Sequence, residues 1–197
     1  NREWDKRNFK RPRQLSLRNK LDVLRRPRWI RQTLWPHGMP SMANLDRYLP
    51  ADQRNAAGAA HFIGEKMEHQ LSWEFLARLR DRWPHRLLLK GVMHPQDAEQ
   101  AVRLGLDGIV VTNHGGRQLD GVPASLDCLP AIADVAKGKL SILLDSGIRR
   151  GTDILKACAL GADAVLLGRA TLYGVAVGGQ AGAGHALDLL SQELHLA

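Results

Sequence analysis

Gly108-Ile109-Val110-Val111-Thr112-Asn113-His114-Gly115-Gly116-Arg117-Gln118-Leu119-Asp120 is an apolar run that turns abruptly polar. Four small apolar residues read as a buried strand, and the polar residues start where it stops. A histidine, an arginine and paired glycines at the C-terminal end of a strand suit a site on a β/α scaffold. His114 can exchange a proton near neutral pH. Arg117 presents a fixed fork that matches a carboxylate. Gly115 and Gly116 let backbone approach a ligand with no Cβ in the way. Taken alone, a His-Gly-Gly string is an ordinary turn. Its neighbours along the chain give it weight.

From residue 68 onward the pattern is regular. Leu71, Phe75, Leu76, Leu79 and Trp83 lie at helical spacing, and Pro84 ends that helix. Leu87-Leu88-Leu89 is a buried strand that ends at Lys90-Gly91. Pro95 opens a helix that Gly105 closes. After the 108–111 strand, Ser125 is expected to cap a helix terminated by Gly138. Leu140 to Leu144 is a third strand, 152–160 a helix ended by Gly161, and Ala164 to Leu167 a fourth strand. A closing helix runs from about Gly182 to Leu194. Leu104-Gly105-Leu106-Asp107-Gly108-Ile109-Val110-Val111 also resembles Leu160-Gly161-Ala162-Asp163-Ala164-Val165-Leu166-Leu167, 56 residues later. Strands alternating with helices predict an α/β fold with a parallel sheet and right-handed connections.

The chemistry-bearing residues fall at one kind of place. Lys90, His114, Arg117, Asp145, Arg149 and Arg169 each stand at or just past a strand's C-terminal end, the active face of a β/α barrel. Ser146-Gly147 with Arg149, and Gly168-Arg169, have the composition of a phosphate cradle. There, glycine amides and helix N-termini would face the anion while arginine neutralises it. The remaining histidines, 37, 61, 69, 85, 94, 185 and 195, have no metal-ligand spacing and read as surface or loop residues. Tyr48 takes no catalytic role, and Arg150 is expected to stay solvated.

The chain's 197 residues are enough for one domain with a real core. Residues 1–31 hold 12 of the 28 Lys and Arg but 3 of the 20 Asp and Glu, a local balance of +9, against −1 for the remainder. A nucleic-acid binder is a poor fit to so local a charge, and an anionic partner of one segment a better one. Over about 10–60, prolines at 12, 27, 36, 40 and 50 rule out a long uninterrupted helix. Basic residues there alternate with Leu15, Leu17, Leu21, Val23, Leu24, Trp29, Ile30, Leu34 and Trp35. That mixture suits a segment lying in a lipid headgroup layer, against the plainer reading of a solvated basic loop. No apolar run reaches the ~18–20 residues needed to cross a bilayer, and no secretory signal pattern opens the sequence. Cys128 and Cys158 fall in expected helices, which predicts buried thiols in a reducing compartment.

Lys90-Gly91, Thr112 to Asp120, Asp145-Ser146-Gly147-Ile148-Arg149-Arg150-Gly151 and Leu167-Gly168-Arg169 occur in order at fitting spacing. Together they resemble the FMN-dependent α-hydroxy acid dehydrogenase/oxidase family, which includes glycolate oxidase, L-lactate dehydrogenase and mandelate dehydrogenase. The Asn-His-Gly-Gly-Arg string is its most specific part. The resemblance is close over 68–195, and Arg2 looks like the family's carboxylate-binding arginine.

The resemblance implies a TIM (β/α)8 barrel, of which this chain supplies about the last four units, with 1–197 a partial FMN-binding domain and 10–60 a membrane-associating insertion. It implies FMN-dependent oxidation of an L-2-hydroxy acid, mandelate- or lactate-like, to the 2-oxo acid. His114 would remove a proton, and Arg117 with Arg2 would hold the substrate carboxylate. Lys90 would sit near flavin N1, Thr112 against the flavin or ribityl region, and Asp145 on ribityl hydroxyls. Ser146, Gly147, Arg149, Gly168 and Arg169 would hold the phosphate. Ser146 departs mildly from relatives with glycine there. The basic segment resembles the membrane-attaching part of mandelate and bacterial lactate dehydrogenases. A place on the inner face of the cell membrane implies in turn a quinone acceptor, and the family resemblance implies a homo-oligomer, a tetramer. The family's first four units, with two tyrosines and a histidine-orienting aspartate, have no counterpart here, so the chain alone is expected to be an inactive fragment. Two other readings stay open at this point: a phosphate-binding barrel enzyme without flavin, and a lipid-binding module without catalysis.

Overall fold

The computed structural model describes residues 17–38, 41–66, 71–119 and 121–197. The chain divides into two compact units, Asn1–Gln70 and Leu71–Ala197. Arg2, His69, Asp120 and the start of the basic segment lie outside the described residues.

The described part of the first unit is helical in short pieces. Leu17–Leu24 is followed by a helical run from Pro27 to His37 that contains a π turn over Ile30–Leu34. That turn widens directly ahead of Pro36, whose ring would otherwise meet the carbonyl four residues back. Ala43–Asp46 and Ala56–Lys66 complete the set of α-helical segments. Asn55 caps the last of them, its Oδ1 accepting from the amides of Ala57 and Gly58. Tyr48 stacks on Phe62 with the Arg47 guanidinium over its ring. Leu17, Leu21, Leu24, Trp29 and Trp35 are exposed, whereas Ile30 and Leu34 are half-buried.

The second unit is the alternating structure expected. Helix α1 (Trp73–Arg82) opens at Ser72, whose Oγ accepts from Phe75 N–H. It is followed by β1 (Leu88–Val92), α2 (Pro95–Arg103), β2 (Gly108–Val111), α3 (Ser125–Ala136), β3 (Ser141–Leu144), α4 (Gly151–Ala159), β4 (Ala164–Val165) and α5 (Arg169–Leu196). The strands form one parallel sheet in chain order, β1-β2-β3-β4. Alternate residues point one way into a core with the helices: Ile109 and Val111, Ile142 and Leu144, against Ala98, Ala101, Leu129 and Ile132. All of these are essentially inaccessible.

The repeat seen in the sequence is a structural device. Asp107 Oδ2 accepts from the Leu87 amide at 2.8 Å, and Asp163 Oδ2 accepts from the Ile142 amide at 2.8 Å. Each aspartate's own amide donates back to the carbonyl of the residue it clasps. The carboxylate at the head of one strand thus fixes its register on the strand before it. The glycine two residues earlier, Gly105 or Gly161, supplies the left-handed turn out of the helix.

Several expectations are corrected. β1 runs on to Val92, past the expected end at Lys90-Gly91, and β4 is two residues long, shorter than the expected run to Leu167, although Leu166 N–H still donates to Leu144 O at 2.8 Å. Ser125 is the first residue of α3, not its cap. The cap position is Ala124, and the fully buried Ser125 Oγ accepts from Asn113 N–H instead. The closing helix starts at Arg169, not Gly182. It is two helical arms joined at Gly178-Gly179, where the backbone leaves helical geometry. A Cβ on Gly174 would strike the backbone of Gly182, and the reverse, so the arms touch main chain to main chain. Cys128 is half-buried but Cys158 is exposed, against the expectation of two buried thiols.

Candidate functional site

β1 and β2 lose step between Lys90 and Val92, leaving Gly91 as an unpaired bulge at φ +106°. A bulge there re-aims the strand end. It also makes room: a Cβ on Gly91 would lie 3.3 Å from His114 Nε2, so the imidazole rests against a residue that has no side chain. Beside the bulge, Lys90 Nζ donates to Asp145 Oδ2 at 2.8 Å.

The turn after β2 is held from several directions. Asn113 Oδ1 accepts from Gly115 N–H, and Asn113 Nδ2 donates to Pro123 O. The buried Thr112 Oγ1 donates to Asp145 Oδ2 (3.0 Å), accepts from His114 N–H (3.0 Å) and lies 2.9 Å from Ser146 Oγ. Ser146 Oγ also accepts from Gly115 N–H at 3.0 Å. Two residues other than glycine adopt positive φ among those described, His114 (+55°) and Ser146 (+86°), and both are here. Such conformations collect at functional sites because the surroundings enforce them. Ser146's backbone is one that glycine would adopt without strain. Arg169 Nη2 donates to Gly115 O at 2.8 Å, and a Cβ on Gly115 would come within 2.7 Å of that nitrogen.

Burial alone would raise the Asp145 carboxyl. Hydrogen bonds from Lys90 and Thr112, the Lys90 charge and the Ser146 amide outweigh it and hold the group below the ordinary carboxylate range. Asp145 is therefore an anion at neutral pH, and the Lys90 ammonium is partnered by it.

These strand tips surround a cavity of about 270 Å³ whose wall includes His114, Arg117, Asp145, Arg149 and Arg169. Gly147, Ile148, Gly168 and Arg169 line it too, and their amides donate to no acceptor among the described residues. The Arg149 guanidinium has no carboxylate partner among them either. Open amides from two successive loops, with arginines on both, fit a phosphate group.

Of the helix N-termini expected at the anion, that of α4 does not take part. At the start of α4, Arg149 and Arg150 N–H donate to Asp153 Oδ2, and Gly151 N–H donates to Glu193 Oε2 at 2.8 Å. Glu193 also pairs with Arg150, which is ion-paired rather than merely solvated. The dipole end of α4 is thus already neutralised by the protein's own carboxylates. A phosphate at this cavity has to rely on the loops and on the start of α5 at Gly168-Arg169.

Lys90, Thr112, His114, Arg117, Asp145, Ser146, Gly147, Arg149, Gly168 and Arg169, each picked out in the sequence, all meet at this one rim. Gly91, Asn113 and Glu193 were not picked out. Gly91 stands next to Lys90 and could have been found by the rule that a glycine in a strand marks a bulge or a close approach. Glu193, on the last helix, left no local signal. Of the other histidines, His94 caps α2, His61 pairs with Glu65, and His195 bonds to Ser191 O.

A family model described as FMN-dependent dehydrogenase matches residues 1–197. The L-lactate dehydrogenase of Ectopseudomonas mendocina (strain ymp) is 45% identical over 184 residues, 92% of this chain and 48% of that protein. The L-lactate dehydrogenase of Alcaligenes faecalis is 43% identical over 188 residues, with 92% and 48% covered. The crystal structure of the monotopic membrane protein (S)-mandelate dehydrogenase aligns with a TM-score of 0.87 at 40% identity, covering 98% of this chain and 50% of that one. A mandelate oxidase variant with (S)-mandelic acid aligns with a TM-score of 0.61 at 44% identity, covering 63% and 37%. The chain spans about half the length of the curated relatives it matches. Its parallel β/α arrangement is accordingly part of a TIM barrel, roughly half of the full enzymes' fold.

Proposed function

The chain belongs to the FMN-dependent dehydrogenase family, and on that premise we propose that it serves the oxidation of an L-2-hydroxy acid, mandelate- or lactate-like, to the 2-oxo acid. The observation that carries the reading is the convergence of His114, Arg117, Asp145, Arg149 and Arg169 on one cavity, with Lys90 bonded to Asp145 at its edge. FMN, when bound, supplies a two-electron acceptor for the Cα–H bond that breaks.

The chain's own residues do the rest. His114 Nε2 takes the proton that the substrate gives up. Arg117, with Arg2, grips the substrate carboxylate through a two-pronged hydrogen bond and so orients Cα. Lys90 would hold an ammonium near flavin N1 and supply positive charge to the bound group. Thr112 would lie against the flavin or ribityl region, and Asp145 would accept from ribityl hydroxyls. Gly147, Gly168 and the 146–149 loop offer amides to the phosphate, while Arg149 and Arg169 neutralise it. In anaerobic mixing of the FMN-loaded full-length protein that carries this chain with L-mandelate or L-lactate, the flavin's yellow absorbance bleaches. A band that persists with every L-2-hydroxy acid tried rejects the reading.

The reading extends to the acceptor and the membrane. Residues 10–60 form the membrane-associating insertion of the single partial FMN domain, and electrons leave to a quinone. Supporting this are exposed Leu17, Leu21, Leu24, Trp29 and Trp35 among Arg18, Lys20, Arg25, Arg28 and Arg31, and the monotopic relative. Among the described residues no helix is long and apolar enough to cross a membrane. A homo-oligomer, a tetramer by family resemblance, on the inner face of the cell membrane completes the proposal. Oxygen uptake that matches substrate turnover, with no reduction of an added quinone, rejects the quinone route.

A further inference from the structure

The hydrogen bonds around Ser146 have one consistent direction. A carboxylate only accepts, so the single Thr112 hydroxyl proton is committed to Asp145 Oδ2 at 3.0 Å. The Ser146 proton then goes to Thr112 Oγ1 across 2.9 Å, and Ser146 Oγ in turn accepts from Gly115 N–H at 3.0 Å. His114 N–H fills the remaining site on Thr112 Oγ1. Every donor points toward one anion, an arrangement in which each bond polarises the next. The residue at the middle of the chain is a serine on left-handed backbone at φ +86°, which glycine would adopt without strain. What serine adds there is the hydroxyl.

We propose that Ser146 is a positioning residue: its hydroxyl couples the His114-Gly115 turn, through Thr112, to the Asp145 carboxylate, and so fixes where His114 stands against Gly91. The inference rests on the reading of His114 as the proton acceptor. It assigns Ser146 more than its place in the phosphate loop, because its hydroxyl is spent inside the protein rather than on a ligand.

Ser146→Ala and Ser146→Gly in the FMN-saturated holoenzyme test it. Alanine removes the hydroxyl and keeps the backbone strain. Glycine removes both, so it folds even where alanine does not. In both variants kcat falls about tenfold through misplacement of the base, and KM for the 2-hydroxy acid stays within about twofold because carboxylate binding is untouched. Amide hydrogen exchange over residues 112–117 speeds up about tenfold in both. A glycine variant with unaltered kcat overturns the inference, as does exchange over 112–117 that does not change. Faster exchange in both variants, in a protein that turns over no 2-hydroxy acid even with Ser146 intact, overturns the functional reading and the catalytic part of the inference with it.

Discussion

A histidine acts as a base only where its ring is placed, and here the ring is placed by a residue with no side chain. Gly91→Ala puts a methyl group 3.3 Å from His114 Nε2 on backbone at φ +106°. The backbone strain costs about 1–2 kcal/mol, and the methyl displaces the ring. Turnover should fall by more than the loss in urea-unfolding free energy accounts for, and steady-state kinetics beside a denaturation curve checks this. His114→Gln should lower kcat about a thousandfold, within the range for loss of a general base, with FMN affinity by fluorescence titration unchanged. Asp145 sets a pH limit. Its carboxyl is depressed in the folded protein, so its contribution to stability is fully present above the unfolded value near 3.8. That contribution is lost as pH falls through the lower folded value. Asp145→Asn should therefore flatten the acid limb of a stability–pH curve below about pH 4.

At the level of elements, the clasp at Asp107 and Asp163 explains why the alternation of strands and helices could be read from sequence alone. The same string recurs because the same job recurs: end a helix, turn on glycine, pin the next strand. Asp163→Ala strands the Ile142 amide and should cost about 1–3 kcal/mol, read from the urea midpoint. The strand tips were legible for the same reason, since polar residues directly follow each apolar run. What escaped the sequence depends on distant partners. Ser125 looks like a helix cap until Asn113, 12 residues earlier, is found donating to it. The N-terminus of α4 looks free to bind an anion until Glu193, 42 residues on, is found seated there. The first arm of α5 was missed because its glycines read as loop, whereas they are spaced for close contact between two helical arms.

Along the whole sequence, charge and chemistry fall in different segments. The excess of +9 lies in residues 1–31, whereas the cavity is lined by residues between 114 and 169. Flotation with anionic vesicles should recruit the protein, and zwitterionic vesicles or deletion of 10–60 should abolish recruitment. Raised salt should weaken it, since exposed charges are screened within about 8 Å at physiological ionic strength. The two arms of α5 bear on the cavity from further off. They meet at Gly174 and Gly182 with no side chain between them, and the second arm carries Glu193, which holds the start of α4 just behind the 146–149 loop proposed to take the phosphate. That makes the corner a wedge point. One methyl at Gly174 pries the second arm outward, draws the carboxylate from Gly151 and slackens the loop ahead of it. A Gly174→Ala protein should therefore shed its yellow colour on dialysis, although the new carbon touches no part of the cavity.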